Sequence, residues 1–280
     1  QVVRPRTYPL LRPTMTAAGE RHVWCTFSHD QCDLDFGNPE VLLEFLRIID
    51  SYLEAGVRVL RLDAVAYLWK RAGTTCIHLP ETHLVIRLLR MLLARRCPDA
   101  RLVTETNVPN RENLTYFGNA NEAHAIYNFT LPPLLLDALL RGRSEHLQTW
   151  MMSMPPAPLG ATYLNFIASH DGIGVRPAAG ILSDDEIAGL AAAVTERGRQ
   201  GSADELGADR FVCAHAIMLA LEGVPAFYLH SLLATSNDHD GVARTGAARA
   251  INRSRRDRAE VDVALDGNGP PGEIFARLTH

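Results

Sequence analysis

The stretch Val57-Arg58-Val59-Leu60-Arg61-Leu62-Asp63 decides the fold. It is short, rich in β-branched and aliphatic residues, and ends on a charged pair, so it reads as a buried parallel strand. Just upstream, Asn38-Pro39-Glu40 marks a helix start: a capping side chain, a proline in the first turn and an acid near the positive end of the helix dipole. Val41, Leu42, Phe45, Ile48, Ile49, Tyr52 and Leu53 then recur at helical spacing, and Gly56 is placed to end the helix. Downstream the unit repeats, with a helix over 81–96, Pro98 as a stop, and Arg101-Leu102-Val103-Thr104-Glu105 as a second strand ending on a carboxylate. Further strands are expected over 123–129, 161–169 and 224–229, with helices over 132–154, 184–197 and 210–222. Strands alternating with helices predict an α/β protein with a parallel sheet under helical cover.

Polar side chains collect at the carboxyl ends of these strands: Arg61 and Asp63, Glu105 and Asn107, Asn128, His170 and Asp171. In a (β/α)8 barrel those ends share one rim, where such enzymes keep their chemistry. A doubly wound open sheet is the competing architecture, but none of the expected strands runs into a glycine-rich phosphate loop of the GxGxxG or GxxxxGKS type, which favours the barrel. Two carboxylates facing across a glycosidic bond can act as nucleophile and general acid/base, and a third can stabilise an oxocarbenium-like transition state. Asp63, Glu105 and Asp171 are the candidates. Any one of them alone reads more readily as a helix cap or salt-bridge partner; three at successive strand ends reverse that balance and favour a site. Arg61, two residues before Asp63, points to the same strand face and would keep that carboxylate ionised and oriented for a nucleophile; the alternative is a plain buried ion pair. His170 is a structural histidine or a hydrogen-bonding group for a sugar hydroxyl.

Composition limits the alternatives. With 280 residues, 47% hydrophobic and 21% charged, the chain has the make-up of a globular protein with one sizeable core, not of a disordered, collagenous or coiled-coil one. Its richest apolar run, 211–229, is interrupted by histidine, glutamate and proline, so no membrane span is expected. A net charge of -4 argues against nucleic-acid binding, and the basic cluster over 253–258 is broken by Asp257, reading as a solvated helix end. Lys70 is the single lysine among 28 basic residues. Five scattered cysteines without metal-ligand spacing predict a reduced, cytoplasmic protein with no metal centre.

Taken together, Arg61-Leu62-Asp63-Ala64-Val65-Ala66-Tyr67-Leu68-Trp69-Lys70, Thr104-Glu105-Thr106-Asn107 and Ala168-Ser169-His170-Asp171-Gly172-Ile173-Gly174-Val175 resemble the later conserved regions of the α-amylase superfamily, glycoside hydrolase family 13. The likeness is greatest to its sucrose phosphorylase subfamily, the glucosylglycerate phosphorylases in particular. Supporting segments run through almost the whole chain, among them VWCTFSHDQCDLDF, YNFTLPPLLLDALL and AINR. The resemblance implies that Asp63 is the nucleophile, Glu105 the general acid/base and Asp171 the transition-state stabiliser. It implies further that Arg61 and His170 bind the glucosyl unit, that Phe27 walls the oxocarbenium-like ring with Gln31 close by, and that Tyr67 lines the subsite. Arg249 would bind glucose hydroxyls, and Pro5 with Arg6 would belong to the loop that meets phosphate or acceptor. Asn107 stands where sucrose phosphorylases usually have histidine, which puts glucosylglycerate ahead of sucrose. The implied activity is retaining phosphorolysis of a small α-glucoside by inorganic phosphate as co-substrate, with no cofactor. A retaining α-glucosidase or transglucosidase, or a non-catalytic amylase-like binding or assembly protein, are the alternatives.

Against that family pattern, the first barrel strands have no counterpart upstream of Arg4, the acceptor loop is shortened to 199–209, and the C-terminal β-domain is lacking. The expected organisation is therefore a partial (β/α)8 TIM barrel, strands four to eight. Residues 1–37 would be the remainder of an inserted loop domain, 38–235 the partial catalytic barrel, 236–262 a lid-like insertion and 263–280 the start of the last barrel helix. A fragment of this kind, with open strand edges, is expected to be unstable or inactive alone.

Overall fold

The computed structural model describes residues 2–5, 8–196, 207–267 and 269–280, which form two compact units. The first comprises residues 1–106 and 116–124, the second 107–115 and 125–280.

The first unit opens with an antiparallel hairpin, β1 (Leu11–Thr16) and β2 (Gly19–Trp24), that the sequence pattern does not announce. Its turn residues are Ala17 and Ala18, and only Gly19, at φ +91°, takes the left-handed backbone. Helix α1 (Pro39–Glu54) starts as expected, with the Asn38 side chain accepting the Glu40 amide at 3.1 Å. Gly56, at φ +94°, follows its end. Strand β3 (Val59–Leu62), helix α2 (Pro80–Arg96) and strand β4 (Arg101–Thr104) complete the repeat. β3 and β4 pair in parallel, Leu62 opposite Thr104. Between them and the helices lies a core of Leu53, Leu60, Val85, Leu89, Leu93 and Leu102, joined by Leu42, Leu46 and Ile49 from α1. Each such leucine contributes about 2 kcal/mol by burial. Glu122, fully buried, accepts from His83 Nδ1 at 2.7 Å and Arg87 Nε at 2.9 Å, which fastens the 116–124 stretch to α2. A buried carboxylate needs such partners.

The second unit holds α3 (Asn110–Leu114) and three parallel strands, β5 (Ala125–Tyr127), β6 (Thr162–Asn165) and β7 (Val224–Pro225). Both later strands are shorter than expected. β6 ends at Asn165, opposite Pro225, whose missing N–H cannot extend the ladder; beyond it the chain turns, and Leu229 opens a one-turn helix instead of ending a strand. The helix expected over 132–154 is two, α4 (Leu131–Arg141) and α5 (Glu145–Ser153), because Gly142 adopts the left-handed conformation at φ +68° and caps the first. Helix α6 (Asp184–Glu196) begins with a reciprocal cap: the Glu186 amide donates to Ser183 Oγ at 3.3 Å and the Ser183 amide to Glu186 Oε2 at 3.0 Å. These bonds, with His146, pull the Glu186 carboxyl down to about 2. Helix α7 (Ala208–Ala220) packs Ala214 and Met218 into a core with Leu131, Leu134, Trp150 and Leu190. The remaining helices are α8 (Leu229–Leu232), α9 (His239–Thr245), α10 (Arg258–Asp266) and α11 (Pro270–Thr279). The expected boundary between 262 and 263 falls inside α10. No helix among the described residues is long and apolar enough to cross a membrane.

Candidate active site

In the first unit, the pairing of Leu62 with Thr104 sets Asp63 and Glu105 at the same end of neighbouring strands, and the Glu105 amide donates to the Leu62 carbonyl at 3.0 Å. Arg61 makes an ion pair with the Asp63 carboxylate, as the shared strand face predicts. Asp63 is 72% exposed at its side chain, so a ligand can reach it. After Asp63 the backbone turns left-handed at Ala64, φ +47°, and the Ala64 amide donates to Glu105 Oε2 at 2.9 Å. An alanine in that conformation costs about 1–2 kcal/mol and persists only where its surroundings impose it. Here the turn aims a donor at the candidate acid/base, linking it to the residue after the candidate nucleophile.

Phe27 meets Tyr67 edge to face, with ring centroids 5.4 Å apart. Tyr67 is buried. The two segments that carry these rings are tied by Lys70. Its ammonium pairs with Asp33 Oδ2 at 2.8 Å and also donates to the Tyr67 carbonyl. Asp33 in turn accepts from the Thr26 amide at 3.1 Å and the Thr26 hydroxyl at 2.6 Å, one residue before Phe27. Gln31 lies in an exposed turn, its amide bonded to the Ser28 carbonyl at 3.0 Å. Pro5 is half-buried in a bend, and Arg6 lies outside the described residues, as do 199–206 of the expected acceptor loop.

In the second unit, Asp171 does not end a strand: it follows β6 by six residues, on a loop carrying His170. Two arginines converge on it. Arg249 Nη1 is 3.4 Å and Arg253 Nη2 2.9 Å from Asp171 Oδ1, while His170 Nε2 is 3.4 Å from Oδ2. Arg253, expected within a solvated basic cluster, instead turns to the loop and also donates from Nε to the His170 carbonyl at 2.8 Å. The one signal for it in the sequence is the Ala-Ile-Asn-Arg segment, since its charge and neighbours say surface. Asn107 abuts the same loop: a Cβ on Gly174 would come within 2.8 Å of Asn107 Nδ2, so the glycine makes room for that side chain.

The catalytic-domain profile of the α-amylase family matches residues 16–171, more than half of the chain and all three carboxylates. The chain belongs to the α-amylase family. Among curated proteins, it is 44% identical to the glucosylglycerate phosphorylase of Spirochaeta thermophila, an alignment covering 91% of this chain and 48% of that protein. It is 39% identical to the glucosylglycerate phosphorylase of Allomeiothermus silvanus, covering 100% of this chain and 56% of the relative. The chain thus spans about half the length of the curated relatives it matches. The crystal structure of sucrose 6F-phosphate phosphorylase from Thermoanaerobacter thermosaccharolyticum superposes with a TM-score of 0.83 at 24% identity, covering 99% of this chain and 60% of that one. The fold is therefore that of an α-amylase-family (β/α)8 barrel enzyme, of which these residues make up part.

Proposed function

We propose that this α-amylase-family chain carries catalytic machinery of a retaining α-glucoside phosphorylase, which transfers a glucosyl unit to inorganic phosphate and yields α-glucose 1-phosphate. The observation that carries the reading is the 44% identity to a glucosylglycerate phosphorylase across 91% of the chain. In this mechanism Asp63 attacks the anomeric carbon while Glu105 gives its proton to the leaving oxygen, forming a covalent glucosyl-enzyme. Phosphate then attacks the same carbon from the face the leaving group vacated, Glu105 accepts the proton that phosphate loses, and Asp63 is released. The Arg61 ion pair orients the nucleophile, and the Ala64 amide holds the acid/base in place through both steps. Asp171 would offset the positive charge that builds on the ring, with His170 and Arg249 on the sugar hydroxyls and Phe27 and Tyr67 along its faces.

Glucosylglycerate is the proposed donor ahead of sucrose, on the strength of Asn107 and of the names of both similar relatives. Phosphate is an anion, so arginine rather than another acid should decide its competition with water, and Arg6 is the proposed contact. No metal or organic cofactor enters the scheme, and the proposed setting is cytoplasmic. The test is to incubate the purified chain with glucosylglycerate or sucrose, with and without phosphate. The expected result is phosphate-dependent α-glucose 1-phosphate, formed faster from glucosylglycerate. Asp63→Asn should lower that rate by about 10⁴-fold or more while the melting temperature stays put. Free glucose at equal rates with and without phosphate would mark a hydrolase instead, and no product from either donor by a chain that melts cooperatively would refute the reading.

A further inference from the structure

We infer that Arg253 is the positioning residue of Asp171, setting which carboxylate oxygen the loop presents to the sugar; this rests on the phosphorylase reading above. The geometry is specific. The guanidinium spans two acceptors on consecutive residues, the His170 carbonyl through Nε at 2.8 Å and Asp171 Oδ1 through Nη2 at 2.9 Å. A planar fork can hold both at once, which fixes the backbone and the side chain together. With Arg249 also facing Oδ1, at 3.4 Å, both positive charges lie on one side of the carboxylate, and Oδ2 faces His170.

Arg253 is itself held by the segment that precedes it. The Asn252 side chain donates to the Ser169 carbonyl at 2.8 Å, and the buried Asn252 carbonyl region accepts the Tyr228 hydroxyl at 2.5 Å. Residues 252–253 are thereby stapled along 169–171, three successive positions of the loop that carries the stabiliser. A side chain that merely neutralised Asp171 would need none of these main-chain bonds. A transition-state stabiliser gains from being fixed in advance, because reorienting it during the reaction costs part of the stabilisation it provides.

The test compares the full chain with R253Q and R253K by steady-state phosphorolysis, thermal melting and crystallography. R253Q is expected to lower kcat about 100-fold with KM within about twofold, since the loss falls on the transition state and not on ground-state binding. R253K, which restores the charge but not the fork, should recover part of kcat, and both variants should melt as the parent does. In the R253Q crystal structure Asp171 should leave its present rotamer. Equal losses in kcat and 1/KM, or a fall in melting temperature that accounts for the lost activity, would reduce Arg253 to a structural staple and overturn the inference. An Asp171 side chain unmoved in R253Q would overturn it whatever the turnover. If the parent shows no phosphorolysis yet Asp171 swings away in R253Q, the functional reading fails while the positioning role stands.

Discussion

At the scale of single residues, the chemistry divides into groups that face solvent and groups that hold them. Asp63 and Glu105 were legible in the sequence because each closes an aliphatic run, so the strand end and the acid are read together. Arg253 was not, because its partner Asp171 is 82 positions away and its immediate neighbours form a charge cluster. Lys70 shows how a holding residue differs from a surface one. Its side chain and that of Asp33 are only 15% and 13% exposed, so truncating one leaves the other charged and poorly solvated. Lys70→Met is expected to lower stability by about 3 kcal/mol, measured by urea denaturation. Lys70→Arg should recover only part of it, because the guanidinium keeps the charge but is larger than the ammonium it replaces in a site only 15% exposed. The companion readout is KM for the glucoside, which should rise in Lys70→Met as Phe27 and Tyr67 lose their tie.

Among elements, the repeat from α1 through β4 followed the sequence closely, since apolar periodicity, an Asn cap and a trailing glycine all agree there. The departures have local causes. The β1–β2 hairpin turns through two alanines and carries no turn signal at its centre, and its strands, largely exposed, lack the apolar alternation of a core strand. Strand β7 stops short of its aliphatic run because the proline in its second position has no N–H to continue the ladder. The break between α4 and α5 rests on Gly142, whose left-handed backbone an L side chain resists. Gly142→Ala, with open space around the added methyl, should cost about 1–2 kcal/mol from backbone strain alone, read from the shift in urea midpoint at constant m. An unchanged midpoint would mean that the two helices tolerate fusion.

For the molecule as a whole, one buried and two half-buried histidines predict how stability follows pH. Burial pushes His124 down to about 4, helped by Arg90 and Arg101, and its Nδ1 accepts the Leu102 amide at 2.9 Å, which requires the neutral ring. Burial also lowers His215 and His230. Because each folded value lies below the unfolded one near 6.5, the unfolded chain takes up the proton first. Their stabilisation is therefore complete above about pH 6.5 and is lost as pH falls toward 4. Melting temperatures recorded across that window should decline, and His124→Gln should flatten the decline without abolishing it. A profile that rose toward pH 4 would contradict the buried-neutral assignment. The buried strap at Lys70 has a practical corollary. As the sequence offers one side-chain amine, acylating reagents find a single lysine target, and its rate of labelling becomes a reporter of how often the Thr26–Asp33 segment lifts away. Ligands that settle against Phe27 and Tyr67 should slow that labelling, giving an occupancy assay that needs neither turnover nor an introduced probe.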